Sequence, residues 1–308
     1  MLLRDVLLLV IINVFWGSTD VVAKFALTEM SPGALMWVRF SMAFVMFLPL
    51  LVIRRKEIPL NIGSLAPLLG MGVCGFFLNH AFQYQGLKLA QASHSTSLRV
   101  SESLLIVFLS WAILREKIGK WAIMGLVGGT IGVAMVLNID FGNLGLFAQG
   151  ARLGDMLIIC GIVVEAFYTI IGKKALDKTD PLLATALACT FGWVLLTVFY
   201  GPSVISEFSA RFPSVNAFMA CAYLGLVATF FGYTVYCVVL ARRASHRVAM
   251  SIMIQPLSGV PLAALVYRDE MTVKFFFGAA MIMIGVYLAL GRQMNGGADR
   301  KEDGLKTE

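Results

Sequence analysis

The chain has 308 residues, of which 59% are hydrophobic and only 14% are charged, and its mean hydropathy is +0.83. A soluble domain typically carries about 25% charged residues, so this composition excludes a water-soluble globule and indicates a lipid bilayer as the outer solvent. The net charge of +7 does not indicate a nucleic-acid partner, because the basic residues lie in short runs between apolar stretches, where membrane topology places them.

Ten apolar stretches follow one another along the chain, most of them close to the ~20 residues that a helix needs to cross a bilayer. They are Val6–Ala26, Ala34–Ile53, Leu65–Gly86, Ser93–Leu114, Trp121–Leu137, Gly154–Gly172, Pro181–Tyr200, Asn216–Ala241, Val248–Tyr267 and Phe275–Leu290. We therefore predict an all-α membrane protein of ten transmembrane helices, the fifth and tenth being short. Residues 292–308 turn abruptly polar and are predicted to form a disordered tail.

The distribution of basic residues predicts the orientation of these helices. Most of the 25 Lys and Arg residues fall on the side of the membrane that holds the N-terminus, in runs such as Arg54-Arg55-Lys56, Lys173-Lys174 and Arg242-Arg243. Because positively charged loops stay in the cytoplasm, both termini are predicted to be cytoplasmic. The expected location is the bacterial inner (plasma) membrane, which the chain crosses several times.

The first span carries an aromatic ring and two charges at helical spacing. Trp16 is predicted to contact a substrate, and Asp20 lies on the same face four residues later. Lys24 follows at the same spacing, so an Asp20–Lys24 pair near the outer surface is the favoured interpretation of that aspartate.

Polar side chains cluster on the third span and, at the corresponding register, on the eighth. The clusters are Asn79, His80 and Gln83, and Tyr233, Thr234 and Cys237. We predict that they line a cavity in which a substrate exchanges water hydrogen bonds for protein ones. Polar packing between neighbouring helices is the alternative.

The fourth span contains Arg99 and Glu102, three residues apart on one helical face and able to pair. A charge near the bilayer centre costs about 2.5–3.5 kcal/mol on insertion scales, so its presence requires a reason. The functional hypothesis is a site for a zwitterion, in which Arg99 binds the carboxylate and Glu102 binds the ammonium group or a proton. The alternative is an ion pair that satisfies itself within the bundle.

The fifth and sixth spans offer two further features. In the fifth, Gly125/Gly129 and Gly128/Gly132 form overlapping small-residue faces, which favour packing inside the bundle and leave a homodimer as the alternative. In the sixth, Glu165 is an isolated carboxylate and a candidate proton carrier, with Tyr168 one turn further on as a predicted substrate contact. A protonated Glu165 bonded to a neighbouring helix is the structural alternative.

Matching residues recur in the two halves of the chain. They are Phe76-Phe77 and Phe230-Phe231, Glu116 and Glu270, and the pairs Gly125/Gly132 and Gly278/Gly285. We predict five-helix repeats in residues 1–148 and 149–291, and an odd number of spans inverts the second repeat. Inverted repeats commonly build secondary transporters with a midplane site, whereas a duplication that only stabilises a bundle is the alternative.

Several of these residues resemble a known family. Phe15-Trp16-Gly17-Ser18, Arg39 in the second span and the Pro256…Glu270 spacing are similar to the EamA-type members of the drug/metabolite transporter superfamily. The resemblance covers nearly the whole chain and implies a ten-helix basket whose central cavity is lined by the first four spans of each half. It also implies export of amino acids, related metabolites or drugs. Arg39 itself is assigned a structural role.

Motifs of other protein classes are missing from the sequence. It has no phosphate-binding Gly-Lys loop, no His-Glu-x-x-His pair and no nucleophile elbow, and the five cysteines show no metal-ligand spacing. We therefore predict no cofactor, no metal and no catalytic residue, and a transporter that moves a small-molecule substrate by alternating access. The rival class is an intramembrane enzyme acting on a lipid or isoprenoid.

Overall fold

The computed structural model describes residues 3–89, 98–136, 152–267 and 273–290, and within these ranges the chain forms helices and no strand. In chain order the helices are α1 Leu3–Ala26, α2 Pro32–Ile53, α3 Ile62–Leu89, α4 Val100–Leu114, α5 Lys120–Val136, α6 Arg152–Leu176, α7 Pro181–Ala210, α8 Val215–Arg242, α9 Ser245–Val266 and α10 Val273–Leu290. The predicted tail 292–308, the start of the predicted fourth span and Glu270 lie outside the described residues. The all-helical prediction is confirmed.

Seven of these helices are long and apolar enough to cross a membrane, namely α1, α2, α3, α6, α7, α8 and α9, with lengths of 22 to 30 residues. The helices α4, α5 and α10 are apolar but shorter. Serine, asparagine and aspartate side chains cap several of the starts: Ser31 accepts from the Ala34 N–H, Asn61 from Ser64, and Asp180 from Leu183. Each cap satisfies a backbone donor that has no partner inside its helix.

Helices of the first half pack on helices of the second half throughout the bundle. The contacts include α2 with α7, α4 with α9, and α5 with α10. In addition α3 packs on α6 and α7, while α8 packs on α1 and α2. The interior is therefore built between the halves rather than inside each of them.

Glycines hold α5 and α10 in close contact. A Cβ atom added to Gly132 would lie 2.7 Å from the carbonyl oxygen of Gly278, and one added to Gly125 would lie 2.4 Å from that of Gly285. Since these obstacles are backbone atoms, a side chain at either position would force the helices apart. The prediction that these glycines pack inside the bundle agrees with this contact. Gly128 faces open space, and the homodimer stays a prediction.

Within the described helices α3, α8 and α9, three segments form π-helical or 3₁₀ turns, and all lie in helices that surround the interior. Gly72–Leu78 in α3 and Tyr223–Phe231 in α8 form π-helical turns, and Ser251–Ile254 in α9 forms a 3₁₀ turn. Such departures free backbone carbonyl groups and are frequent at functional sites. Here they bring several carbonyl oxygens within reach of side chains from the polar clusters.

Candidate functional site

A small polar cavity of about 40 Å³ lies between the two halves. Its wall is formed by Trp16, Thr19, Arg39, Asn79, His80, Gln83, Arg99, Glu102, Glu165, Tyr233 and Gln255. These side chains come from α1, α2, α3, α4, α6, α8 and α9. All predicted substrate contacts except Tyr168 are in this wall, together with both predicted proton carriers.

An ion pair that the sequence did not predict joins α1 to the start of α4. The guanidinium of Arg99 donates to both carboxylate oxygens of Asp20, from Nε at 3.0 Å and from Nη2 at 3.2 Å. The Gln83 amide donates to the same carboxylate at 2.8 Å. Lys24, the favoured sequence partner of Asp20, donates from Nζ to the carbonyl oxygen of Leu87 at 2.9 Å. The bidentate geometry fixes the Arg99 guanidinium at the edge of the cavity.

The predicted Arg99–Glu102 pair is also present, in a looser form. Glu102 Oε2 lies 3.7 Å from Arg99 Nη1, and the glutamate is 5% exposed. Arg99 therefore stands between two carboxylates, one from α1 and one from its own helix. This arrangement neutralises the guanidinium within the protein.

Glu165 faces the same cavity from α6. The Asn79 side-chain amide donates to Glu165 Oε2, and the Tyr233 hydroxyl donates to Oε1 at 3.4 Å. Both donors are uncharged, so the carboxylate is held by hydrogen bonds from α3 and α8 rather than by a cation. Such a group can take up a proton or a cationic ligand without first breaking an ion pair.

The π-helical turns position two of the cavity's ring systems. The His80 Nδ1 lies 2.8 Å from the carbonyl oxygen of Gly75, and since a carbonyl only accepts, Nδ1 carries the proton. The Trp16 indole N–H donates to the carbonyl oxygen of Ala228 at 2.9 Å. The Trp16 ring lies 5.4 Å from that of Tyr233. Local backbone irregularity thus fixes the orientation of side chains that the sequence only placed on helices.

Gly17 explains why the element Phe15-Trp16-Gly17-Ser18 is needed here. A Cβ atom at Gly17 would lie 2.2 Å from the Gln255 carbonyl oxygen and 2.1 Å from the Ser258 hydroxyl. Only glycine lets α1 cross α9 this closely. The crossing brings Trp16 to the cavity wall.

Some predicted residues lie behind the wall. Tyr168 is fully buried, its ring lies 5.5 Å from Tyr233, and its hydroxyl lies 3.2 Å from the Cys237 sulfur. The Thr234 hydroxyl oxygen is buried and has no hydrogen-bond partner. Tyr168 and Cys237 therefore support Tyr233 from behind, and Thr234 is also outside the wall.

Three residues of the wall were not predicted from the sequence: Thr19, Arg39 and Gln255. Arg39 was assigned a structural role, although a charge in the second span was a signal. Gln255 donates to Asn13 at 3.1 Å, and Asn13 donates to Ser251 at 2.9 Å, in a buried network between α1 and α9. Thr19 gave no signal, since a threonine within an apolar helix is common.

Comparison with known proteins gives a consistent result. The model of the EamA-like transporter family matches residues 3–138 and 152–291. A protein of Escherichia coli (strain K12) named "Probable amino-acid metabolite efflux pump" is 25% identical over 292 residues, covering 92% of this chain and 94% of that protein. An "Uncharacterized transporter" of Archaeoglobus fulgidus is 22% identical over 279 residues, covering 91% and 96%.

The fold is also found in a protein of known crystal structure. That chain is 18% identical in sequence, superposes with a TM-score of 0.70, and the match covers 93% of this chain and 96% of that one. At this level of identity the likeness is one of fold. The family match spans both halves of the chain. The apolar helices and the polar interior are therefore those of a membrane transporter family. The chain belongs to the EamA-like transporter family, as the resemblance in its sequence predicted.

Proposed function

We propose that this protein is a secondary transporter that moves small organic metabolites, amino acids or related compounds, across the bacterial inner membrane. The observation that carries the proposal is the cavity, where two glutamates, two arginines and aromatic rings converge inside an apolar helical bundle. Ionisable groups are expensive in a membrane and mark pathways for polar ligands. The name of the Escherichia coli relative, an amino-acid metabolite efflux pump, supports amino-acid-like substrates and export.

We infer that ten spanning helices form an inverted repeat of residues 1–148 and 149–291, with both termini in the cytoplasm. Equivalent contacts in the two halves support this arrangement. Lys24 of α1 donates to the carbonyl oxygen of Leu87 in α3 at 2.9 Å, and Lys173 of α6 donates to that of Leu240 in α8 at 2.8 Å. The contacts between the halves are reciprocal as well. The fourth helix of the first half, α4, packs on the first helix of the second half, α6, and the fourth helix of the second half, α9, packs on α1.

Contacts between the halves close the end of the bundle at which the N-terminus lies. The Glu116 carboxylate, after α4, accepts from the backbone N–H of Ser245 at 2.7 Å and of His246 at 3.1 Å, at the start of α9. Arg243 pairs with Asp5 at 2.7 Å. Alternating access requires these contacts to break when the cavity opens toward the cytoplasm.

The Glu116 contact persists at neutral pH. Burial raises the pKa of this carboxyl, but hydrogen bonds from His246 and from two backbone N–H groups outweigh the burial and hold the pKa below its ordinary value. A carboxyl with a lowered pKa stabilises the closed contact above its ordinary pKa, and the stabilisation is lost as the pH falls through the lowered value. The closed end therefore opens at neutral pH by conformational change rather than by titration of Glu116.

The proposed substrate site is formed by the residues that the sequence predicted. They are Trp16, Asn79, His80, Gln83, Arg99, Glu102 and Tyr233, with Glu102 and Glu165 as candidate proton carriers. Tyr168, also predicted as a substrate contact, lies behind this wall and packs on Tyr233. Aromatic rings bind the apolar part of a metabolite, and the amides and charged groups replace its hydration. Coupling to protons, or exchange for a second metabolite, proceeds through these carboxylates.

The test is counterflow in proteoliposomes. Vesicles are loaded with a mixture of amino acids and polar metabolites, and uptake of each labelled member is followed from outside. We expect transient accumulation of at least one member, and none in protein-free vesicles. If folded protein accumulates no member of a broad panel and instead converts a lipid or isoprenoid, the transporter proposal is wrong and the enzyme alternative holds.

A further inference from the structure

Arg39 differs from the other arginine of the cavity in having only neutral partners. Its side chain is 4% exposed and forms part of the cavity wall from α2. Nε donates to the Thr229 hydroxyl at 2.7 Å, and Nη1 donates to the Tyr84 hydroxyl. The guanidinium also lies 5.2 Å from the centre of the Phe40 ring. In the part of the chain that the structure describes, no carboxylate pairs with it.

Arg99, in contrast to Arg39, is paired with two carboxylates. Asp20 takes two of its N–H groups in a bidentate pair, and Glu102 lies 3.7 Å from a third nitrogen. A substrate carboxylate approaching Arg99 would meet two carboxylates that already compensate the guanidinium. Arg99 is thus a poor receptor for an anion, whereas Arg39 forms no ion pair with a carboxylate among the described residues.

A guanidinium presents five N–H donors in a planar fork that fits a carboxylate through two parallel hydrogen bonds. The two hydroxyl contacts leave donors of Arg39 unused, and a buried charge without a partner is strongly unfavourable. A bound anion would remove that penalty. The acceptor Glu165, in the same wall, has only neutral donors and is suited to the cationic end of the same molecule.

We propose that Arg39, and not Arg99, receives the anionic group of the substrate, and that the substrate is a zwitterion whose cationic group lies toward Glu165. The inference rests on the proposed transport function and names the substrate class of that site. Arg39 then determines specificity for a carboxylate, and Arg99 holds Asp20 and Glu102 in place.

The experiment compares an amino acid with its amide, in which a carboxamide replaces the carboxylate. Counterflow is measured for both labelled compounds with wild-type protein, Arg39→Gln and Arg99→Gln. We expect Arg39→Gln to lower the preference for the acid over the amide about ten- to hundredfold, as expected for loss of a charge-assisted contact. Uptake of the amide should persist, which shows that the variant is folded.

The controls separate the possible outcomes. Thr229→Val removes one neutral partner of Arg39 and should keep the wild-type preference, while Arg99→Gln should lower uptake of both compounds alike. If Arg39→Gln does not fold, Arg39→Lys keeps the charge without the fork, and a lowered preference in that variant supports the proposal. A wild-type preference in the folded Arg39 variant, or its loss in Arg99→Gln, would overturn it. A wild-type protein that carries other metabolites but no zwitterion would also overturn it and leave the transport function standing, whereas a protein that carries no metabolite at all would refute the transport function.

Discussion

Replacing Asp20 with Asn is expected to destabilise the protein and to abolish transport, because it leaves the Arg99 guanidinium without its bidentate partner. Removing one member of a buried pair typically costs about 3–5 kcal/mol. The side chains here are 23% and 10% exposed, so we expect the lower part of that range. The free energy of unfolding follows from thermal unfolding of the purified protein, and transport from counterflow.

A matched control is available at an exposed pair. Arg54 donates to Asp180 at 2.7 Å, where the side chains are 26% and 43% exposed, and exposed pairs contribute about 0–1 kcal/mol. Arg54→Gln should therefore have little effect on either measurement. The double variant Asp20→Asn/Arg99→Gln should recover part of the stability, since both charges of the bidentate pair are then removed, without recovering transport. An Asp20→Asn protein as stable and active as Arg54→Gln would contradict this account of the pair.

Replacing Glu102 with Gln is expected to remove the pH dependence of transport, or transport itself, while the protein stays folded. Glutamine keeps the shape of the side chain but can neither release a proton nor balance Arg99. In proteoliposomes with a gradient of one pH unit, coupling to one proton supports at most about tenfold accumulation. We expect the wild-type protein to approach this ratio and the variant to show none.

The matched variant is Glu165→Gln, which shows whether Glu102 or Glu165 carries the proton. Its amide oxygen can still accept from Asn79, so the local structure is preserved. If Glu165 is the proton carrier, this variant loses the response to the gradient and Glu102→Gln keeps it. Equally pH-dependent transport in Glu102→Gln would discard the role of Glu102.

The sequence was sufficient to predict the helices and most of the cavity wall. Apolar length defines a spanning helix without knowledge of its neighbours, so the predicted positions of α1, α2 and α3 agree with the structure to within a few residues. Polar residues inside such helices are rare, which made Asn79, His80 and Glu102 conspicuous. That they would meet in one cavity followed from the predicted repeat.

The partners of these residues could not be predicted. Asp20 and Arg99 are far apart in the sequence, and only the folded bundle brings their side chains together. Helical spacing favoured Lys24 as the partner of Asp20, because spacing shows only which side chains are close within one helix. Arg39 was given a structural role because a sequence does not show whether a charge has an acidic partner. The π-helical turns, which orient Trp16 and His80, could not be predicted either, because no residue pattern in the sequence identifies them.

The most direct test of the central claim is the accessibility of a cysteine in the cavity from each side of the membrane. Thr19→Cys would be introduced after Cys74 and Cys160, the two cysteines that are not buried, are replaced by Ala. An impermeant thiol reagent is then applied to right-side-out and to inside-out membrane vesicles. Alternating access predicts labelling above the parent protein from both sides, slowed by a transported substrate. Labelling from one side only, unaffected by every substrate, would contradict the claim that this cavity carries a metabolite across the membrane.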